Sequence, residues 1–292
     1  MIVVTGGSGF LGSAITESLG DSAITLSRSE RNRARHHKAD LTNAKRAGEF
    51  IRAEAGKAIS HLVHCAGATS PADDVALGVE VKIAENVATI CQGLNVPTLV
   101  LISGWVVYDP NANPPVSETA RLAPNTAYGR SKLAVENTVK DRLENTVVLN
   151  LRVASVYGPG QASMGLIPNI VKSAHEVGTM TVKSLKTKRD YMYIEDLVRA
   201  VNLALKVRTS SNVDINLGSG HSRSVQEVSE LVRGSFARLY GKDVKIRVTR
   251  PVKEAIPLDN QLAIAEAKRL GLITTTTDFA KGLLEYIRWT ER

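Results

Sequence analysis

The sequence predicts a doubly wound α/β fold: a parallel sheet covered by helices on both faces, with a smaller α/β lobe following it. Two observations carry this expectation. Short apolar, β-branched runs alternate with longer amphipathic segments through the first half of the chain, the pattern of repeated strand–helix–strand units. A glycine-spaced turn also lies directly between the first such run and the first helical segment. A third observation places the smaller lobe. After "VYGPG" (156–160) the connections lengthen and helices mix with short strands.

Taken in order, "IVVTG", "AITLS", "SHLVHCAG", "PTLVLIS" and "TVVLNLRV" read as buried parallel strands bounded by turn residues. Between them "LGSAITESLG", "NAKRAGEFIRAEAG" and "VALGVEVKIAENVATICQGL" read as helices. Further on, "SVQEVSELVRGSFARLYG" predicts a helix capped by Ser224 and closed by Gly241, and the last helix, "TDFAKGLLEYIRWT", starts near Thr277. The expected division is a dinucleotide-binding domain over 1–157 and a substrate lobe over 158–292, interleaved with each other.

With 292 residues, 43% of them apolar, the chain can bury a large core. No apolar run approaches the roughly 20 residues that span a bilayer, and "MIVVTGG" reads as a strand rather than a signal peptide. Two cysteines, Cys65 and Cys91, make neither a disulfide framework nor a metal set. They are expected as buried thiols in a cytoplasmic protein without a metal. The net charge of +8 is concentrated in "RSERNRARHHK" (28–38) and "KSLKTKR" (183–189). Localised positive charge suits anionic partners or a solvated basic face. With 4% aromatic residues and no nucleic-acid motif, nucleic acid is not the expected partner.

"VTGGSGFLG" spaces Gly6, Gly9 and Gly12 three residues apart after the first strand. Such glycines permit a tight turn, close approach of backbone to a pyrophosphate and close helix packing. The helix start, with Gly9, Phe10 and Leu11, adds amide donors. This is the dinucleotide signature of a Rossmann sheet. At the tip of the second strand stand Ser27 and Arg28, followed by Arg31 and Arg33, with no carboxylate at the tip. The expectation is NADP(H), its 2′-phosphate held by Arg28, with NAD(H) as the alternative.

Of seven tyrosines only Tyr128 has a lysine four residues later, in "YGRSK". Positions i and i+4 share a helix face, so Tyr128 and Lys132 can converge on one site. A neighbouring ammonium favours the phenolate that acid–base work at neutral pH requires. The alternative is a surface pair.

These motifs closely resemble the extended short-chain dehydrogenase/reductases, and among them the NAD(P)-dependent epimerase/dehydratase family acting on nucleotide sugars. The resemblance extends over nearly the whole chain through "HCAG" (64–67), "LRVASVYGPG", "KRDYMYIEDLVRAV", "NLGSG" and "RPVKEAIPLDN". It implies cofactor contacts from Asp40, Leu41, Cys65, Ala66, Gly67 and Ser103 beside those above. It makes Tyr128 the acid–base group and Lys132 its partner and ribose ligand. Thr126, Ser155, Arg189 and Arg250 are implied as substrate contacts. For Arg189 a salt bridge to Asp190 or Asp196 is the alternative, and for Arg250 a solvated strand end. A homodimer is implied, through the Tyr128 helix and the one before it.

Two positions depart from the pattern. The active-site serine or threonine, four residues before Tyr108, is Gly104; Ser103, Thr126 or water could supply a hydroxyl instead. The family's asparagine on the preceding helix is Glu80. Trp105 and Val106 replace the acidic pair of the 4,6-dehydratases, which turns the expectation to a 4-ketoreductase of a nucleotide sugar. A 4-epimerase is the alternative, and a non-catalytic NADP-binding regulator is the alternative of another class.

Overall fold

The computed structural model describes residues 1–30, 35–55, 58–67, 74–162, 165–249 and 259–291. Strands β1 (Ile2–Thr5), β2 (Ala23–Ser27) and β3 (His36–Lys38) alternate with helices α1 (Phe10–Leu19) and α2 (Ala44–Ala55). There follow β4 (His61–His64), α3 (Asp74–Gly93), β5 (Thr98–Gly104), α4 (Ala127–Arg142) and β6 (Val147–Val153). The later chain adds β7 (Ser155–Tyr157), α5 (Leu166–Val177), β8 (Thr179–Val182), β9 (Lys188–Tyr193), α6 (Ile194–Ala204) and β10 (Val213–Leu217). Last come β11 (Ser222–Ser224), α7 (Val225–Tyr240), β12 (Lys245–Val248), α8 (Ala265–Arg269) and α9 (Phe279–Trp289).

The main sheet runs β10-β6-β5-β4-β1-β2-β3 and every pairing in it is parallel. Both faces are covered, so the apolar strands divide residue by residue between two cores. Val3, Leu62, Leu99 and Leu101 pack on one side, and Val4, Val63, Val100 and Ile102 on the other. That two-residue alternation is why the runs read as continuously apolar rather than amphipathic.

The later chain does not form a separate body. β10 pairs with β6 at the sheet edge, and α6 packs on α1, where Asn202 donates to the Ser18 hydroxyl at 3.2 Å. The remaining strands form a β11-β9-β7 sheet and a β12-β8 pair, over an aromatic cluster of Tyr157, Tyr191, Tyr193 and Phe279.

Three local features differ from the sequence expectation. The end of the basic run forms β3, because His36 bonds to the Thr25 hydroxyl at 2.8 Å and to Ser27 at 3.2 Å beside β2. The last helix is capped by Asp278, which accepts from the Lys281 amide, one residue beyond Thr277. Cys91 is buried as expected, whereas Cys65 is only partly so, at the edge of a loop. Ser224 and Gly241 cap α7 as the sequence predicts, the serine and Glu227 completing a reciprocal box. Among the described residues no helix is long and apolar enough to cross a membrane.

Candidate active site

The turn after β1 is built for close approach. Gly6 has φ of 75°, and a Cβ there would stand 2.6 Å from the Ala66 amide nitrogen. One on Gly12 would collide with the Gly6 carbonyl. The two loops at the strand ends, 6–12 and 65–67, therefore touch through backbone alone. Gly9 caps α1, and the first turn, with Phe10 and Leu11, contains no acidic residue. Its free amides and positive dipole end suit a pyrophosphate, and these residues fit a dinucleotide.

Beyond the end of β2, Arg28, Glu30, Lys38 and Asp40 line an open cavity of about 870 Å³. Hydrogen bonding from Thr42 holds the Asp40 carboxyl below its ordinary value, with the Arg28 charge as a smaller contribution. Leu41 is buried beneath it and accepts from Asn86 of α3 at 2.8 Å through its carbonyl. His37 stacks on Phe50 at the cavity wall. Arg31 and Arg33 lie outside the described residues.

Tyr128 and Lys132 occupy the first turns of α4, with the ammonium 5.8 Å from the centre of the phenol ring. Thr126 caps the helix by accepting from the Gly129 amide at 3.0 Å. Gly129 is essential to the placement, because any Cβ there would strike the Val106 carbonyl and lies 2.7 Å from Pro124. Its lack of a side chain lets the helix start rest directly on the turn Trp105–Val107 that follows Gly104. On the opposite side Lys132 reaches the cofactor loop, 3.3 Å from where a Gly67 side chain would begin. Next to it His64, bonded to Thr5 at 2.7 Å, is pushed down to about 3 by burial and by the Lys132 charge. Burial pushes the Cys65 thiol up to about 12.

Ser103 does not replace the missing hydroxyl. Adjacent strand residues face opposite sides, and Ser103 donates to the Glu136 carboxylate at 2.5 Å beneath α4. Glu136 in turn receives two donors from Arg152, which also reaches Tyr108 and Asp214. Burial alone would disfavour charge on Arg152, and its bonds to Glu136 more than offset that. The network fixes α4 against β5, β6 and β10. Nothing in the motif spacing singles out Glu136; its signal was only a charge on the buried face of a helix.

Arg189 forms neither of the salt bridges considered for it. Asp190 is occupied by Ser219, Gly220 and Leu262 donors, and Asp196 by Thr277 and Arg199. Arg189 instead lies over the Trp105 ring, 5.3 Å from its centroid. Ser155 begins β7, paired with Tyr191 of β9. Among the described residues no partner is found for the buried Tyr191 hydroxyl or for the side-chain nitrogen of Asn260, whose oxygen accepts from the Asp190 amide at 2.9 Å. No motif singles out either residue. Arg250 lies outside the described residues.

A glycine cradle at one end of a parallel sheet and a tyrosine–lysine helix beside it form the architecture of the extended short-chain dehydrogenase/reductases. The family model described as the NAD dependent epimerase/dehydratase family matches residues 2–218. Over 256 residues, 79% of this chain and 80% of the relative, the sequence is 26% identical to dTDP-4-dehydro-6-deoxyglucose reductase of Escherichia coli. Among solved structures, MoeE5 in complex with UDP-glucose and NAD is similar at 25% identity and a TM-score of 0.87, covering 100% of this chain and 98% of that one. UDP-glucose 4-epimerase from Thermotoga maritima shares the fold at 20% identity and a TM-score of 0.88, covering 99% and 98%. The chain belongs to the NAD-dependent epimerase/dehydratase family.

Proposed function

We propose that the protein is a 4-ketoreductase of a nucleotide-linked sugar with a preference for NADP(H). The observation that carries the reading is the position of Lys132, between the phenol of Tyr128 and the cofactor loop at Gly67. From there one ammonium can hold the cofactor ribose and favour ionisation of the phenol. The bound dinucleotide supplies hydride. Tyr128 gives its proton to the ketone oxygen, Arg189 and Arg250 take the nucleotide phosphates, and Thr126 and Ser155 line the sugar. Arg28 takes the 2′-phosphate. The similarity to a bacterial reductase of a 4-keto nucleotide sugar supports the direction of the reaction. A second copy of the chain is expected against α3 and α4; Val79 of α3, apolar and 44% exposed, supports that surface.

The test is cofactor oxidation on adding a 4-keto nucleotide sugar. Tyr128→Phe should lower turnover by roughly 10²–10⁴-fold, the usual worth of acid–base catalysis, while cofactor affinity persists. Unchanged turnover would remove Tyr128 from its role. Gly104 favours one other reading, a non-catalytic NADP-binding regulator, for which the dinucleotide binds and no sugar nucleotide turns over.

A further inference from the structure

We propose that Glu80, which faces Lys132 across Gly67, keeps Tyr128 in its protonated form and so biases the site toward giving a proton to a ketone over taking one from an alcohol. The inference rests on the reductase reading for its consequence and on geometry for its cause. A methyl group at Gly67 would stand 2.7 Å from a Glu80 carboxylate oxygen and 3.3 Å from the Lys132 nitrogen. The two charges are therefore within about 6 Å of each other, close enough for strong coupling in a partly dry site. Glu80 is 5% exposed, so little water screens it.

The other groups that face Lys132 do not compete. From the end of β4, His64 is neutral because burial holds it near 3, and Cys65 is neutral because burial holds it near 12. One turn further along α4, Glu136 is engaged by Ser103 and Arg152. Trp105 and Val106, on the turn packed against the helix start, carry no charge. Among the described residues Glu80, which has a further contact of its own, is the carboxylate that Gly67 sets against the ammonium. An ammonium alone favours phenolate, and a carboxylate beside it returns the balance toward phenol. Proton donation breaks the Tyr128 O–H bond, passes the proton to the ketone oxygen as the carbon takes hydride from the reduced dinucleotide, and leaves a phenolate that water reprotonates. An enzyme that starts from phenol is set for that direction. Glu80 acts through Lys132 and is a positioning residue.

The experiment titrates tyrosinate absorbance in the protein without cofactor, with Tyr128→Phe subtracted to isolate one phenol. The other six tyrosines are all displaced upward, chiefly by burial, so the window is clear. Glu80→Gln and Glu80→Asn should each lower the Tyr128 midpoint by about one pH unit, a tenfold gain in phenolate at a given pH, and Glu80→Asp should largely restore it. In turnover, both amide variants should move the alkaline limb of ketone reduction to lower pH and raise alcohol oxidation at neutral pH. Folding is checked by thermal melting, and either folded amide variant suffices. A midpoint that stays in place or rises sinks the role of Glu80. Absent turnover with a shifted midpoint sinks the reductase reading instead.

Discussion

The guanidinium carbon of Arg189 stands over the Trp105 indole, 5.3 Å from the ring centroid. Trp105 follows Gly104 directly, so the tryptophan ties Arg189 of β9 to the end of β5. Burial disfavours charge on Arg189, so under the proposed function an incoming phosphate would offset that cost. A cation–π contact of this kind contributes roughly 0.5–2 kcal/mol. Trp105→Ala should accordingly raise KM for a nucleotide sugar about three- to thirtyfold with a smaller change in kcat. Arg189→Lys should do nearly as much harm, since lysine keeps the charge but loses the planar stack. Steady-state kinetics of both variants check this.

Gly104 is not glycine for want of space. Its backbone is extended, with φ of −155°, and a Cβ would meet Val106 at 3.6 Å and the Val153 carbonyl at 3.7 Å, ordinary contacts. Gly104→Ser should fold normally and place a donor near the carbonyl oxygen. A donor at a developing oxyanion is commonly worth about 2.7–4 kcal/mol. We expect at least a tenfold gain in kcat, measured at saturating substrate. A folded Gly104→Ser protein without any gain would mean that water already fills the role.

Selection between the two dinucleotides should depend on Arg28. It is exposed beside Asp40 at the open cavity, whose lining also includes Glu30, paired with Lys38 at 3.6 Å. Arg28→Ala should weaken NADP(H) binding about tenfold or more, leave NAD(H) within about twofold, and reduce the salt dependence of NADP(H) binding. Calorimetric titration of both cofactors at two ionic strengths would decide it.

His64 makes stability depend on pH. Its folded value, pushed from 6.5 to about 3 by burial and then by Lys132, is below the unfolded one. Between those values the unfolded chain binds the extra proton. The contribution of neutral His64 is therefore complete above the unfolded value and is lost as pH falls through the window below 6.5. The slope is about 1.4 kcal/mol per pH unit. Melting temperature should drop between pH 7 and pH 5, and His64→Gln should flatten that drop.

The parallel sheet was legible because strands buried on both faces appear as unbroken apolar runs, and the glycine loop because its spacing falls between a strand and a helix. The tyrosine–lysine pair was legible because it is local, one helical turn long. What escaped notice is non-local. Glu136 and Arg152 are 16 residues apart in sequence and meet only when α4 lies on β6. Trp105 and Arg189, far apart in sequence, meet only in the folded chain. β3 was hidden by its own composition, a basic stretch whose strand character comes from two side-chain bonds to β2 rather than from apolar residues. Glu80 was visible as a departure, but its nearness to Lys132 depends on Gly67, which no pattern connects to either.

The return of β10 to the edge of the main sheet bears on how such proteins can diversify. Asp214 on that strand bonds Lys140 at 2.5 Å and Arg152 at 3.3 Å, so α4 leans on a segment encoded well after residue 157. A chimera joined after residue 157 would inherit a foreign edge strand, and would leave Arg152 and Lys140 with Glu136 alone in place of two carboxylates. Recombination of whole lobes is thus disfavoured by the topology. New substrates are more readily reached by replacing side chains one at a time around Trp105 and Arg189.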